Sequence, residues 1–161
     1  MCRDCEYKGD FEVQVYNGSA FFAAIKLFLL FPLVALEVNL RNESTVFSGY
    51  WASFAILVVV LIDMIGSYCE KFSTTSLVLY GLLMCVEMVG AILAFVSGGQ
   101  IYNRFLDAGN STAQIMVMPQ NQPYLTQFGV GLILIAEAII SLYMLCIRKV
   151  GMSYQHLRNE I

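Results

Sequence analysis

The chain has 161 residues, 58% of them hydrophobic and 13% charged, with a formal net charge of −3 and a mean hydropathy of +0.69. A soluble globular chain carries about 25% charged residues, so the composition excludes an ordinary soluble domain and points to a single polytopic membrane domain. The small net charge and the absence of a basic cluster exclude a nucleic-acid binder.

Residues 1–18 read as a polar tail, with Asp4, Glu6, Asp10 and Glu12 set against Arg3 and Lys8. No small-x-small cleavage site follows an apolar segment there, so no signal peptide is expected. Phe11, Val13 and Val15 alternate with Glu12 and Gln14 in a short strand-like pattern that Asn17-Gly18 would end. The first apolar run, 20–40, contains Lys26, Pro32 and Glu37. Pro32 removes one helical hydrogen bond and predicts a kink. After a polar connector, 41–45, the second run covers 46–66. Its Gly49 and Ser53 form a small-xxx-small pair suited to close helix packing, and Asp63 lies near its far end.

A short connector leads to the third run, 74–97, which has a single carboxylate, Glu87. Gly90, Ala91 and Ala94 share a helical face with it, so a neighbouring helix can approach the acid closely. Residues 98–126 read as the one long loop, marked by Gly98-Gly99, Gly109-Asn110, Pro119 and Pro123. The fourth run, 127–147, has Glu137 at its middle, and a tail, 148–161, follows. Each run is long enough to cross a bilayer as a helix. The expected fold is an all-α four-helix transmembrane bundle with one short and one long outer loop.

Four crossings put both termini on one side. That side would carry Arg3, Lys8, Lys71, Arg148, Lys149 and Arg158, and the other only Arg41 and Arg104. The asymmetry predicts cytosolic termini. Asn42-Glu43-Ser44 and Asn110-Ser111-Thr112 are glycosylation sequons on the outer side in this topology, and Asn110 is better placed, in mid-loop. Cys2, Cys5, Cys69 and Cys146 fall at the inner side or boundary, as candidates for S-palmitoylation or as ordinary thiols. Tyr154-Gln155-His156-Leu157 is a Tyr-x-x-bulky pattern; Gly151 and Ser153 disfavour helix before it, so Tyr154 and Leu157 would be presented as an extended sorting signal.

A charge inside the membrane costs roughly 2.5–3.5 kcal/mol at a helix centre, so each should find a partner. Lys26 and Asp63 both lie towards the inner end of their runs and are expected to pair. Glu87 and Glu137 share a mid-membrane depth. Two carboxylates so placed are not expected both to be ionised; they would hydrogen-bond to backbone or to each other, or form a proton or cation relay.

The segment Val86-Glu87-Met88-Val89-Gly90-Ala91-Ile92-Leu93-Ala94-Phe95 resembles the third membrane segment of tetraspanins. The segment from Gly129 through Glu137 to Cys146 resembles their fourth. The likeness covers roughly half the chain and implies a reduced or divergent tetraspanin-like four-span protein. The long loop has no Cys-Cys-Gly, and the first helix has Lys26 where an asparagine is usual. The acid-bearing fourth segment also resembles, more distantly, the last helix of proton-pump rotor proteolipids.

No nucleophile elbow, phosphate loop or metal-binding helix is present, and the one histidine, His156, sits in the tail. The expected function is that of a non-enzymatic membrane organiser or accessory subunit without cofactors. Its partners would be the lipid bilayer and other integral membrane proteins, copies of this chain among them, at the plasma or endosomal/lysosomal membrane. The alternative is a proton- or cation-conducting subunit using Glu87 and Glu137.

Overall fold

The apolar runs become four helices: α1 (Arg3–Leu40), α2 (Ser48–Tyr68), α3 (Thr74–Gly109) and α4 (Pro123–Asn159). The structure is a computed structural model; it describes the backbone at these residues and the side chains at 18–38, 51–64, 74–104 and 124–153. Asn42, Asn110, Cys2 and Cys69 lie outside the described residues, and the side chains of Cys5, Gly49, Tyr154 and Leu157 are likewise not described.

Three segments, Gly18–Val38, Thr74–Arg104 and Tyr124–Ser153, are long and apolar enough to cross a membrane. The chain is therefore a membrane-embedded helical protein. Large apolar side chains such as Phe28, Phe31, Trp51 and Leu132 point outward, which suits lipid as the surrounding solvent. The shorter apolar stretch Trp51–Met64 lies in α2.

Contacts at the two ends fix the helix directions. At one end Arg148 of α4 meets Ser19 of α1 and Asp63 of α2. Asp63 also meets Ser76 and Tyr80 at the start of α3. At the other end Phe95 of α3 packs against Phe128 of α4, and Tyr102 against Tyr124. Adjacent helices are thus antiparallel, α2 returning between α1 and α3, and α1 begins at the end where α4 finishes. The α3–α4 interface is the most extensive, followed by α1–α4, while among the described residues α1 and α3 stand diagonally with no close backbone approach.

The core follows helical periodicity. On α2 the buried residues Ala52, Ile56, Val59 and Asp63 recur every three or four positions. On α3 Glu87, Gly90, Ala91 and Ala94 are all buried. Leu33, Tyr80, Leu83, Val130, Leu134 and Met144 complete the apolar centre. Phe22 of α1 stacks on Tyr143 of α4, with ring centres 5.9 Å apart.

The helices are longer than the apolar runs. α1 begins at Arg3 and passes through 11–18 without a strand. Extending an existing helix adds one hydrogen bond per residue fixed, and a few alternating residues do not outweigh that. It also continues through Pro32. α3 runs through Gly98-Gly99 to Gly109. Gly98 serves packing here, since a Cβ there would lie 3.1 Å from the Phe128 ring. Pro123 opens α4 as its first residue, where proline's missing N–H costs nothing. α4 also continues through Gly151 and Ser153 to Asn159, so Tyr154 and Leu157 sit on a helix and not on an extended tail. Gly151 is itself buried. Its tertiary packing outweighs a propensity penalty of about 1 kcal/mol.

At Gly131 of α4 an added Cβ would lie 2.9 Å from the Phe95 ring; at Gly81 of α3 it would meet nothing within 4 Å. Overpacking costs about 1–3 kcal/mol, against a helix-propensity gain of about 0.5–1 kcal/mol for replacing glycine. Gly81→Ala should therefore raise stability by about 0.5–1 kcal/mol, and Gly131→Ala should lower it by about 1 kcal/mol. Unfolding of both variants in one detergent checks the difference in sign.

Candidate functional site

Lys26 lies about two-thirds of the way along α1, and its side chain reaches across the bundle to α3 and α4. Its ammonium donates to Glu87 Oε1 at 2.6 Å, to Glu137 Oε2 at 2.8 Å and to the Glu137 backbone carbonyl at 3.1 Å. Three N–H groups thus meet three acceptors, which is the full donor capacity of a lysine. Ser141, one turn beyond Glu137 on α4, donates to Glu87 Oε2 at 2.7 Å. Lys26, Glu87 and Glu137 are all 0% exposed. Glu137 Oε1 is also buried and has no hydrogen-bond partner.

A second cluster lies about 10–16 Å away, seven to eleven residues along α1, α3 and α4 at 1.5 Å each. Arg148 donates to Asp63 Oδ2 at 2.6 Å and to Ser19 Oγ at 2.8 Å. Asp63 also accepts from Tyr80 at 3.0 Å and from Ser76 at 3.2 Å. The Arg148 guanidinium lies 5.9 Å from the centre of the Tyr80 ring.

The expected Lys26–Asp63 pair is therefore not the one formed. The helix register explains why. Asp63 sits level with Ser19, and Lys26 is seven residues, about 10 Å, further into the bundle. The partner of Asp63 is Arg148, which as the first residue of a tail should have faced headgroups but folds back among the helices, 3% exposed. Nor do Glu87 and Glu137 bond to each other; Lys26 stands between them.

The small residues of the sequence reading fall in the same region. Gly90 and Ala52 help to line a groove of about 330 Å³ between α2 and α3, with Trp51, Cys85, Val86, Val89 and Leu93. Ser53 is buried with no partner for its hydroxyl, and so is Gln127 of α4 for its amide group. Cys146 and Cys85 are free thiols and exposed. Among the described residues no cluster of histidine, cysteine or carboxylate side chains could hold a metal.

Ser19, Ser76, Tyr80, Gln127, Ser141 and Arg148 were not singled out from the sequence. Spacing carried a signal for most of them. Ser19 is seven residues before Lys26, Tyr80 seven and Ser76 eleven before Glu87, and Ser141 four and Arg148 eleven after Glu137. Offsets of four, seven and eleven are close to whole helical turns, so all share a face with the mid-membrane charge of their helix.

Comparison with protein-family models, with curated proteins and with solved structures gives no match.

Bare to lipid, the five charged groups of these two clusters would together cost on the order of 10 kcal/mol, comparable to the whole stability of a domain. Removing one partner of a buried pair costs about 3–5 kcal/mol, and one neutral hydrogen bond about 1 kcal/mol. Lys26→Gln should thus destabilise the bundle by about 3–5 kcal/mol, and Ser141→Ala by about 1–3 kcal/mol because it bares one oxygen of Glu87. Chemical unfolding in mixed micelles measures both.

Proposed function

We propose that the chain is a non-enzymatic membrane organiser or accessory subunit that packs laterally against other integral membrane proteins. The observation that carries this reading is the position of Lys26. A transported cation would sit between Glu87 and Glu137, and a tethered ammonium already fills that place with all three donors engaged. The acids then serve to hold α1, α3 and α4 together. What the bundle offers a partner is its apolar exterior, including the α2–α3 groove with Trp51, 74% exposed, at its side. Gly90 and Ala52 keep that groove open for a helix to approach closely.

The reduced tetraspanin-like reading belongs with this function, since it rests on the segments around Glu87 and Glu137 and implies an organiser of lateral assemblies. The two termini emerge on the cytosolic side in this reading, from the excess of basic residues on the connectors and tails of one end. Cys146 is an exposed thiol two residues before Arg148, in reach of S-acylation at that boundary. The Tyr154–Leu157 pattern would need local unwinding of α4 to serve as a sorting signal.

Conduction is the competing reading, and a flux assay separates the two. Liposomes carrying the purified chain should show no proton or potassium leak above empty liposomes. In cells, Val89→Trp, which fills the groove, should lower recovery of co-purifying membrane proteins in mild detergent several-fold while the chain itself remains folded. A leak abolished by Glu137→Gln would favour the conductor. A second check concerns orientation: a single cysteine placed at position 110 should react with an impermeant thiol reagent from outside the cell. Labelling only from the cytosol would reverse the topology.

A further inference from the structure

The central cluster has an odd charge count: one ammonium faces two carboxyl groups. Its hydrogen-bonded members come from three helices. From α1 comes Lys26, from α3 Glu87, and from α4 Glu137 with the neutral Ser141. The α2 sequence between Trp51 and Asp63 contains no ionisable residue. Asp63 and Arg148 pair with each other in their own cluster, and the buried Glu37 lies eleven residues, about 16 Å, further along α1. With both acids ionised, the cluster would therefore keep one uncompensated negative charge in a sealed, low-dielectric layer.

The four carboxyl oxygens are not equivalent. Glu87 accepts at both oxygens, from Lys26 at 2.6 Å and from Ser141 at 2.7 Å, distances short enough for charge-assisted bonds to an ionised group. Glu137 accepts from Lys26 only at Oε2, and its Oε1 is buried and bare. Lys26 has no further hydrogen to give that atom, since its third is directed to the Glu137 backbone carbonyl. The single Ser141 hydroxyl hydrogen is engaged as well. Oε1 is the one oxygen of the four where a proton displaces no donor.

We infer that the cluster is an occluded proton site: one proton is held on Oε1 of Glu137, and Lys26, Glu87 and Glu137 together carry no net charge. Glu87 is the ionised partner of Lys26, and Glu137 is a neutral acid that accepts through Oε2. This assignment rests on the hydrogen-bond geometry and is independent of the organiser reading. It describes a proton bound on a fully buried residue and makes no claim of transport.

Infrared spectroscopy of the full chain in phospholipid nanodiscs at neutral pH tests it, because a carboxylic acid shows a C=O stretching band that a carboxylate lacks. The wild-type spectrum should contain one acid band that disappears in Glu137→Gln and persists in Asp63→Asn. No change between wild type and Glu137→Gln would overturn the inference. The position of the proton is read from thermal stability. In Glu137→Gln an uncharged amide replaces an uncharged acid, so the melting temperature should stay within about 4 °C of wild type. Glu87→Gln removes the ion partner of Lys26 and forces Glu137 to ionise with Oε1 bare, so it should lose roughly 10 °C or fail to fold. Equal losses, or the reverse order, would place the proton elsewhere and sink the assignment.

Discussion

One ammonium at the centre of the bundle decides how α3 and α4 can stand against α1. Lys26 joins α1 to α3 and α4 at once, although among the described residues α1 and α3 make no close backbone approach. Sliding α1 by a single turn, about 5.4 Å, would take the ammonium out of reach of both acids. Each stranded charge would then face hydrocarbon at a cost of several kcal/mol. Apolar packing alone sets no such register, because lipid tails are as apolar as the side chains that face them and give helices little hydrophobic drive to associate.

The second cluster repeats the principle near the end where α1 begins. Arg148 reaches α1 through Ser19 and α2 through Asp63, and Asp63 in turn takes hydrogen bonds from α3. All four helices therefore meet at one acid and its partners. Two polar anchors, about 10–16 Å apart along the helices, fix both the height and the rotation of α4 against its neighbours. Between and beyond them the fit is steric: Phe95 lies against Gly131, and Phe128 against Gly98. The glycines that would punctuate a soluble chain here make room for rings on a facing helix.

This division of labour bears on function. The charged groups of the two clusters face inward and are bonded to one another, while Trp51, Phe28, Phe31 and Leu132 face outward. A protein built this way meets its surroundings through shape and apolar contact. The α2–α3 groove is one place where that outer surface is concave, lined by Ala52, Gly90, Trp51 and medium-sized apolar residues.

The sequence by itself determined the class of protein and the number of helices. Apolar runs of this length have few stable solutions in or out of a bilayer, and the hydropathy of 20–40, 74–97 and 127–147 already marks the three long membrane helices. It also marked the residues that matter most, since Lys26, Asp63, Glu87 and Glu137 stand out in apolar surroundings. Helix ends were less legible: Gly98-Gly99, Asn17-Gly18 and Gly151 read as breaks, and only a packed neighbour reveals that a glycine is there for contact. Pairing was not legible at all. Lys26 and Asp63 have opposite charges and similar depth by position within their apolar runs, yet partners are set by which helices adjoin and at what register. Those are properties of three-dimensional packing that no spacing within one helix encodes. The tertiary structure alone placed Arg148 beside Asp63 and Lys26 between two acids 61 and 111 residues away along the chain.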